Sequence, residues 1–434
     1  MIKKVGYKVI YDVVIKNTEI LDKNDGKTYS IGIKDGIITY IGKEEPEGRE
    51  VIDGSGHLAV PGFVNAHTHV AMTLFRSYAD DLVLMDWLQN HIWPMENNLD
   101  GEAVYWGSML GIAEMIRTGT TCFADMYFFM DDTARAAAES GVRAVLSRGL
   151  TGSSPEDGKS RLDENIALFK DWHGKCHDRI HVMFGPHAPY TCSNDYIESI
   201  AATASRLGAE IHMHLCETAG EVKDCMDKNS MTPIALMESL GLFANGTLAA
   251  HCVHVTDDDM AIMARHHVRV AHNPQSNLKL ASGIAPVAAM LDRGLVVGLG
   301  TDGASSNNNL DMLEEIRLAA LLAKGSTGNP KAVPAKTAVA LGTVEGAKAV
   351  GFQELGRIAE GWKADIALYD MDSPQWMPRN DRYSLLAYAA SASDVDHVIA
   401  DGRVLYAKGE YKTIDIAKVY AKVEESLARM KAKA

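Results

Sequence analysis

The sequence lacks the long apolar segments of membrane and secreted proteins. None of its apolar runs reaches the roughly eighteen residues that a membrane-spanning helix needs. No apolar segment follows the basic residues at its start, so no signal peptide is expected. The six cysteines are scattered without a Cys-x-x-Cys pair, which argues against a disulfide framework. We therefore expect a cytoplasmic protein with free thiols and no membrane partner.

Positive charge is also scarce. Lys and Arg number 43 against 57 Asp and Glu, which gives a formal net charge of −14. Such a protein repels a phosphate backbone, so no nucleic-acid partner is expected, whereas a small nucleoside remains compatible. The 434 residues, 47% of them hydrophobic, are enough for a substantial core and an enzyme-sized site.

Several catalytic signatures are missing. The chain contains neither His-x-Glu with Pro-Cys-x-x-Cys, nor His-Glu-x-x-His, nor Gly-x-Ser-x-Gly. Residues 298–303 match Gly-x-Gly-x-x-Gly, but an aspartate stands where a pyrophosphate would need bare amides. We interpret this segment as a strand and expect no dinucleotide site.

Short alternating segments at both ends of the chain predict a small β domain. They are separated by Asp-Gly turns, and they cover residues 9–15, 29–42, 364–369 and 395–406. We expect residues 1–60 and 356–434 to build one β-sandwich together, with a terminal helix at the end of the second part.

The middle of the chain, residues 61–355, alternates short apolar runs with helix-length segments, which predicts βα units. The runs are residues 62–69, 120–126, 143–150, 179–187, 210–217, 248–254, 268–274 and 296–303. Eight runs predict an α/β fold of the (β/α)8 TIM-like barrel type. Most of them end on polar residues, and these strand ends converge on the active-site face of such a barrel.

A metal site is predicted from four of these strand ends. His67 and His69 are two residues apart, so a strand directs both imidazoles to one side. His214 ends the fifth run and Asp302 lies in the eighth. Three histidines and an aspartate suit zinc or another divalent transition metal with a position open for water. The alternative is a pair of hydrogen-bonded surface histidines.

Three residues are candidates for proton transfer. Glu217 follows His214 by three residues and is assigned as the general acid/base, while His251 orients the attacking water and Asp302 accepts its proton. His212 shares the strand face of His214, so alternation alone does not decide which of them binds the metal. We choose His214 because it is nearer the barrel mouth, and we leave His212 out of the site. The fourth run contains no lysine, which does not support a second, carbamate-bridged metal.

Taken together, these motifs resemble the amidohydrolase superfamily over nearly the whole chain. The resemblance is carried by residues 61–69, 212–218, 250–254 and 300–304. A second set of motifs resembles the 5'-methylthioadenosine/S-adenosylhomocysteine deaminases within that superfamily. This set comprises residues 86–96, 147–150, 161–165 and 184–190.

The resemblance implies a reaction and a residue set. One divalent ion per subunit, expected to be zinc, is held by His67, His69, His214 and Asp302. Glu217, His251 and Asp302 move protons while hydroxide attacks C6 of adenine and ammonia leaves. The implied substrate contacts are Glu96 to the ribose hydroxyls, His187 and Glu217 to the nucleoside, Trp87 in the pocket wall, and Arg148 and Arg161 to the carboxylate of S-adenosylhomocysteine. A homo-oligomer is a further expectation from the family.

Other interpretations stay open for the two arginines assigned to the substrate carboxylate. Arg148 ends the third strand and could form an ion pair in the barrel mouth, and Arg161 follows a Ser/Pro/Gly/Asp-rich loop where arginines are usually solvated. Trp93 is interpreted as a packing residue.

The rival functions are hydrolysis of another aromatic amine or halide, such as guanine, a pterin or a chlorotriazine, and a noncatalytic binding role. The sequence does not separate S-adenosylhomocysteine, 5'-methylthioadenosine, adenosine and deoxyadenosine as substrates.

Overall fold

A computed structural model describes residues 9–433, and their strands form two β-sheets. The first five strands are β1 (Tyr11–Ile20), β2 (Thr28–Lys34), β3 (Ile37–Gly42), β4 (Gly48–Asp53) and β5 (His57–Pro61). The next eight are β6 (Phe63–Thr68), β7 (Thr120–Tyr127), β8 (Arg143–Leu150), β9 (Ile180–Pro186), β10 (Ile211–Leu215), β11 (Thr247–His251), β12 (Arg269–His272) and β13 (Val297–Leu299). The last four are β14 (Ile366–Asp370), β15 (Val395–Ala400), β16 (Arg403–Ala407) and β17 (Glu410–Tyr411).

One sheet joins the two ends of the chain. Its order is β17-β16-β15-β14-β5-β1-β2-β3, and β4 pairs in parallel with β1. The junction is the antiparallel pair β5–β14, in which Ala59 lies opposite Leu368. Ile15, Ile33 and Ile366 come from both ends of the chain and belong to one buried core. The two ends fold together because each covers apolar surface of the other.

The other sheet consists of β6 to β13 in chain order, and all of its strand pairs are parallel. Strand β7 is buried along its whole length, as expected for a strand covered on both faces. Where the first and last strands meet, the backbone N–H of Asp302 donates to the carbonyl of His67 at 3.0 Å. The Asn65 amide also donates to the Thr301 hydroxyl there, at 2.7 Å. The sheet is therefore a nearly closed barrel whose strands end at one common face.

The helices cover the outside of this barrel and its mouth. In chain order, α1 to α9 are Leu84–Asp86, Trp93–Glu96, Gly101–Arg117, Met130–Ser140, Pro155–Trp172, Lys175–Asp178, Asn194–Leu207, Ala219–Asn229 and Pro233–Ser239. Helices α10 to α17 are Asp257–Arg265, Pro274–Lys279, Val287–Asp292, Met312–Thr327, Ala335–Leu341, Val344–Ala349, Arg382–Tyr388 and Ile416–Lys433. Short 3-10 turns cover Val70–Phe75, Leu242–Ala244, Pro374–Trp376 and Ala392–Asp394, and a π-helical turn covers Trp87–Ile92.

Local sequence explains several helix starts. The Asp100 carboxylate accepts from the backbone N–H of Ala103 at the start of α3, and Thr256 forms a capping box with Asp259 at the start of α10. Helix α5 begins at Pro155, because the Ser154 hydroxyl caps it and proline suits the first helical turn. Arg161 therefore lies inside α5, and most of the Ser/Pro/Gly/Asp-rich segment before it, interpreted from the sequence as a loop, belongs to the same helix.

The predicted fold class is confirmed: a (β/α)8 barrel accompanies a β-sheet built from both chain ends. All eight predicted runs are strands, although the eighth strand is only three residues long. The domain limits at residues 60/61 and 355/356 stay predictions. Among the described residues, no helix combines the length and the apolar character that a membrane crossing requires.

Candidate active site

The barrel brings the four predicted metal ligands together at its carboxyl-terminal face. The Nε2 atom of His69 lies 3.3 Å from Nε2 of His214 and 3.2 Å from Oδ1 of Asp302. The Nε2 atom of His67 lies 3.4 Å from the same carboxylate oxygen. The ligand atoms of His67, His69 and Asp302 all lie within 4.8 Å of one another. These four side chains thus surround one small space.

Outer hydrogen bonds turn the histidines toward that space. The Nδ1–H of His214 donates to the carbonyl of His187 at 2.8 Å, and the Nδ1–H of His69 donates to the carbonyl of Met126. A carbonyl oxygen can only accept, so each of these bonds places a hydrogen on Nδ1, and the neutral ring then has its lone pair on Nε2. Such partners fix the ring orientation of metal-binding histidines.

Asp302 is held in the same manner. Its Oδ2 atom accepts hydrogen bonds from Ser276 at 2.7 Å and Ser306 at 2.9 Å, while Oδ1 faces the histidines. Burial alone would raise the pKa of Asp302, but the adjacent His67 and His69 imidazoles hold it well below its ordinary value. The carboxylate is therefore ionised and directed at the cluster.

The donor set fits a divalent transition-metal ion such as zinc. Three imidazole nitrogens and one carboxylate oxygen are zinc ligands, and the space between them is bordered by further polar groups. The Nε2 atom of His67 is buried without a hydrogen-bond partner. A buried nitrogen with no partner is costly unless a bound cation uses its lone pair.

Glu217 and His251 lie beside this cluster. Oε2 of Glu217 is 3.8 Å from Nε2 of His251, and both side chains are almost fully buried. The His251 Nδ1 atom is bonded to Oδ1 of Asn277 at 2.8 Å, which directs Nε2 inward. Burial raises the pKa of Glu217 above its ordinary value, and this favours a carboxyl group that can carry a proton. With His67 and His214, His251 forms a second compact group of ligand atoms.

The backbone is strained where these residues leave the strands. His251 has φ 72°, Asp302 has φ 60° and Cys216, next to Glu217, has φ 54°. Non-glycine residues seldom occupy this left-handed region, and such residues cluster at functional sites. Three strand-end turns of this site thus contain residues in the left-handed region, which other turns of the chain also contain.

A cavity of about 1060 Å³ extends from the cluster and contains most predicted substrate residues. Trp87, Glu96, Arg148, His187 and Glu217 all line it. The indole N–H of Trp87 is buried without a hydrogen-bond partner. Trp93, interpreted from sequence as a packing residue, lines the cavity as well.

Glu96 and His187 stand on different walls of this cavity. The Tyr127 hydroxyl donates to Oε1 of Glu96 at 2.6 Å, and burial raises the pKa of Glu96. The Nδ1 atom of His187 lies 2.9 Å from the Thr191 hydroxyl. Burial lowers the pKa of His187 to about 3, so its ring is neutral. These side chains offer a carboxylate acceptor and a neutral imidazole to a ligand.

The far end of the cavity is polar and more exposed. Arg148 donates through Nε to Oε2 of Glu164 at 2.6 Å, and its guanidinium lies over the Phe128 ring. Arg161 instead donates to the carbonyls of Thr151 and Asp157 and is not among the residues that line the cavity. The structure therefore brings Arg148 to the cavity and leaves Arg161 beside it.

One direct neighbour of the His/Asp cluster was not predicted from the sequence. His212 was left out of the site, yet its Nε2 atom lies 2.8 Å from Nδ1 of His67. Its position two residues before His214 was the available signal, because strand alternation turns both side chains into the barrel.

Comparison with known proteins now places this geometry in a family. A model of the amidohydrolase family matches residues 58–405. The chain belongs to the amidohydrolase family. The resemblance inferred from the sequence motifs is thereby confirmed.

Named relatives of this amidohydrolase agree with the motif-based interpretation. A 5-methylthioadenosine/S-adenosylhomocysteine deaminase from Moorella thermoacetica is 52% identical over 403 residues, or 92% of this chain and 94% of that protein. The protein of the same name from Carboxydothermus hydrogenoformans is 48% identical over 413 residues, covering 94% and 95%. The crystal structure of an adenosine deaminase from Xanthomonas campestris with bound zinc has a TM-score of 0.93 at 32% identity, covering 98% of this chain and 100% of that one.

Proposed function

We propose that this amidohydrolase removes the 6-amino group from the adenine base of S-adenosylhomocysteine and 5'-methylthioadenosine. The products are ammonia and the corresponding inosine analogue. The observation that carries the proposal is one continuous cavity that joins the His/Asp cluster and Glu217 to Glu96 and Arg148. The names of the relatives that share about half of its residues support the same substrates.

His67, His69, His214 and Asp302 would hold one divalent ion per subunit, with zinc as the expected metal. When bound, such an ion lowers the pKa of water and so supplies a nucleophile at neutral pH. Asp302 accepts the proton that the attacking water loses. His251, fixed through Nδ1 by Asn277, orients that water with its inward Nε2 atom.

Glu217 is proposed to act on the base. Its carboxyl group lines the cavity beside His251, and its raised pKa lets it exist as an acid. We assign it to protonate N1 of adenine as C6 is attacked, and then to take the remaining proton of the C6 hydroxyl, while the proton held by Asp302 passes to the departing amino group. This assignment uses the carboxyl group once as an acid and once as a base, which a group with an ordinary, low pKa would perform poorly.

Glu96 is proposed to bind the ribose. An ionised carboxylate offers about four lone-pair positions, so it can accept from Tyr127 and from two ribose hydroxyls at once. His187 contacts the nucleoside from another wall, and Trp87 adds an apolar face with a free N–H donor. A diol acceptor in this place favours a nucleoside over a free base such as guanine.

Arg148 is proposed to read the amino-acid tail of S-adenosylhomocysteine. Its guanidinium already binds one carboxylate, that of Glu164, at the cavity wall. A substrate carboxylate would take over that partnership in a charge-assisted hydrogen bond. Arg161 binds two backbone carbonyls through Nη1 and does not line the cavity, so we expect it to contribute less.

The proposal is tested by ammonia release from the zinc-loaded protein. S-adenosylhomocysteine, 5'-methylthioadenosine, adenosine and guanine are compared in parallel by kcat/KM. We expect the first two to be the best substrates and guanine to be inert. If all four are inert while zinc is bound, the substrate assignment is wrong. If guanine leads, the role of Glu96 as a ribose acceptor is wrong too.

A further inference from the structure

Two histidines inside the barrel form a direct side-chain pair beneath the metal cluster. The Nδ1 atom of His67 lies 2.8 Å from Nε2 of His212, and both side chains are completely buried. Their rings are nearly perpendicular, with an interplanar angle of 86° and centroids 4.9 Å apart. A hydrogen bond of this length between two buried nitrogens requires that one ring donate and the other accept.

The metal site decides which ring donates. If His212 donated, the remaining hydrogen of a neutral His67 would sit on Nε2 and block the atom that faces Asp302. If His67 donates, its Nε2 atom keeps a lone pair, as in His69 and His214. His212 then carries its own hydrogen on Nδ1, which faces the Ser147 hydroxyl at 3.5 Å. Only the second arrangement leaves all three ligand histidines ready to bind.

The three ligand histidines differ in what holds them. His69 and His214 are fixed by hydrogen bonds to backbone carbonyls. A backbone carbonyl is present whichever side chain its residue has. His67 is fixed by a side chain, so its orientation depends on the identity of residue 212. Among the three ligand histidines, His67 is therefore the one whose orientation a single substitution can release.

We propose that His212 is a positioning residue of the metal centre. It accepts the Nδ1–H of His67, fixes the tautomer and ring orientation of that ligand, and is itself supported by Ser147. The inference rests on the metal-binding part of the proposed function and not on the choice of substrate. Loss of an outer partner of this kind typically weakens metal binding by about 10- to 100-fold.

The test measures zinc affinity by competition with a chromophoric chelator, without any nucleoside present. His212→Gln places an amide oxygen near the former Nε2 position and keeps an acceptor, whereas His212→Leu removes it. We expect His212→Leu to bind zinc about 10- to 100-fold more weakly and His212→Gln to remain much closer to the parent. Ser147→Ala should shift the affinity in the same direction by a smaller factor.

His272 provides the matched control for removing a buried barrel histidine. It lies on β12, is 2% exposed, and its Nδ1 atom has no hydrogen-bond partner. We expect His272→Leu to keep the zinc affinity of the parent, and the melting temperatures of the metal-free variants report any general loss of packing. Equal zinc affinities for His212→Leu and His272→Leu would overturn the proposal.

A second pair of variants covers the case in which His212→Leu is not recovered folded. Asn has a shorter side chain than Gln, and its amide oxygen does not reach the Nε2 position. Zinc should then bind more tightly to His212→Gln than to His212→Asn, and equal affinities would contradict the positioning role. Because no substrate enters these measurements, they stand even if the proposed nucleosides prove wrong.

Discussion

The cavity has two ends, and they are built in different ways. At the reacting end, Glu217 is 4% exposed and Asp302 is 6% exposed, and Asp302 is held by two hydroxyl groups. At the tail end, the Arg148 side chain is 12% exposed and pairs with the Glu164 side chain, which is 53% exposed. An ion pair with one solvent-exposed partner exchanges more readily, whereas buried and fully partnered groups are costly to disturb.

This difference indicates that the reacting end performs the chemistry and that the tail end selects among substrates. A rigid reacting end can act on the base of any adenine nucleoside that reaches it. An exchangeable ion pair at the tail end can open for a substrate that brings its own carboxylate. We therefore expect substitutions at the reacting end to affect all substrates alike and substitutions at the tail end to affect one.

The largest effect is expected at Glu217. Glu217→Gln keeps the shape of the side chain but removes its acid/base function, so kcat should fall by about a thousandfold for every nucleoside. Zinc content, measured by atomic absorption, should stay that of the parent. The control is Glu315→Gln, which alters another completely buried glutamate that is not among the residues lining the cavity. If Glu217→Gln turned over substrate nearly as fast as the parent, Glu217 would not be the proton carrier.

An intermediate effect is expected where the two ends meet, at Glu96. Glu96→Gln leaves the ribose hydroxyls with a weaker acceptor, and kcat/KM should fall by about 10- to 100-fold for both S-adenosylhomocysteine and 5'-methylthioadenosine. Tyr127→Phe removes only the donor to Oε1 and should cost less. A loss confined to one of the two substrates would show that Glu96 reads the tail and not the ribose.

The smallest effect is expected at the tail end. Arg148→Met should lower kcat/KM for S-adenosylhomocysteine by about tenfold and leave 5'-methylthioadenosine nearly unchanged, because an exposed charge-assisted contact contributes modestly. Arg161→Met is the comparison, and we expect a smaller selective loss because its guanidinium binds backbone carbonyls. Equal losses on both substrates for Arg148→Met would erase the distinction between the two ends.

The same contrast explains what could be predicted from the sequence. The predicted metal ligands stand at the ends of segments that the sequence shows to be strands: His67, His69, His214 and Asp302. Strand geometry alone directs these side chains to one place. Alternation also turns His212 into the barrel, but its hydrogen bond to His67 and that of Asn277 to His251 could not be assigned in this way, because such bonds depend on which neighbours meet at the same level of the barrel.

The contacts of residues at the tail end were harder to predict from the sequence for a related reason. Arg161 belongs to α5, and the start of that helix at Pro155 was not recognised from its Ser-Pro sequence. The direction of a long, partly exposed side chain follows local competition among carbonyls and carboxylates, which no spacing rule records. The structure thus supplies the partners of residues whose types the sequence had already indicated.

Hydrolytic deamination requires that the oxygen of a water molecule replace the 6-amino group at the reacting end. The decisive experiment runs the reaction with 5'-methylthioadenosine in water enriched in the heavy oxygen isotope and analyses the purine product by mass spectrometry. We expect one heavy oxygen atom in the base, with one ammonia released for each product molecule. Product without the label, or ammonia release without an oxygenated purine, would contradict it.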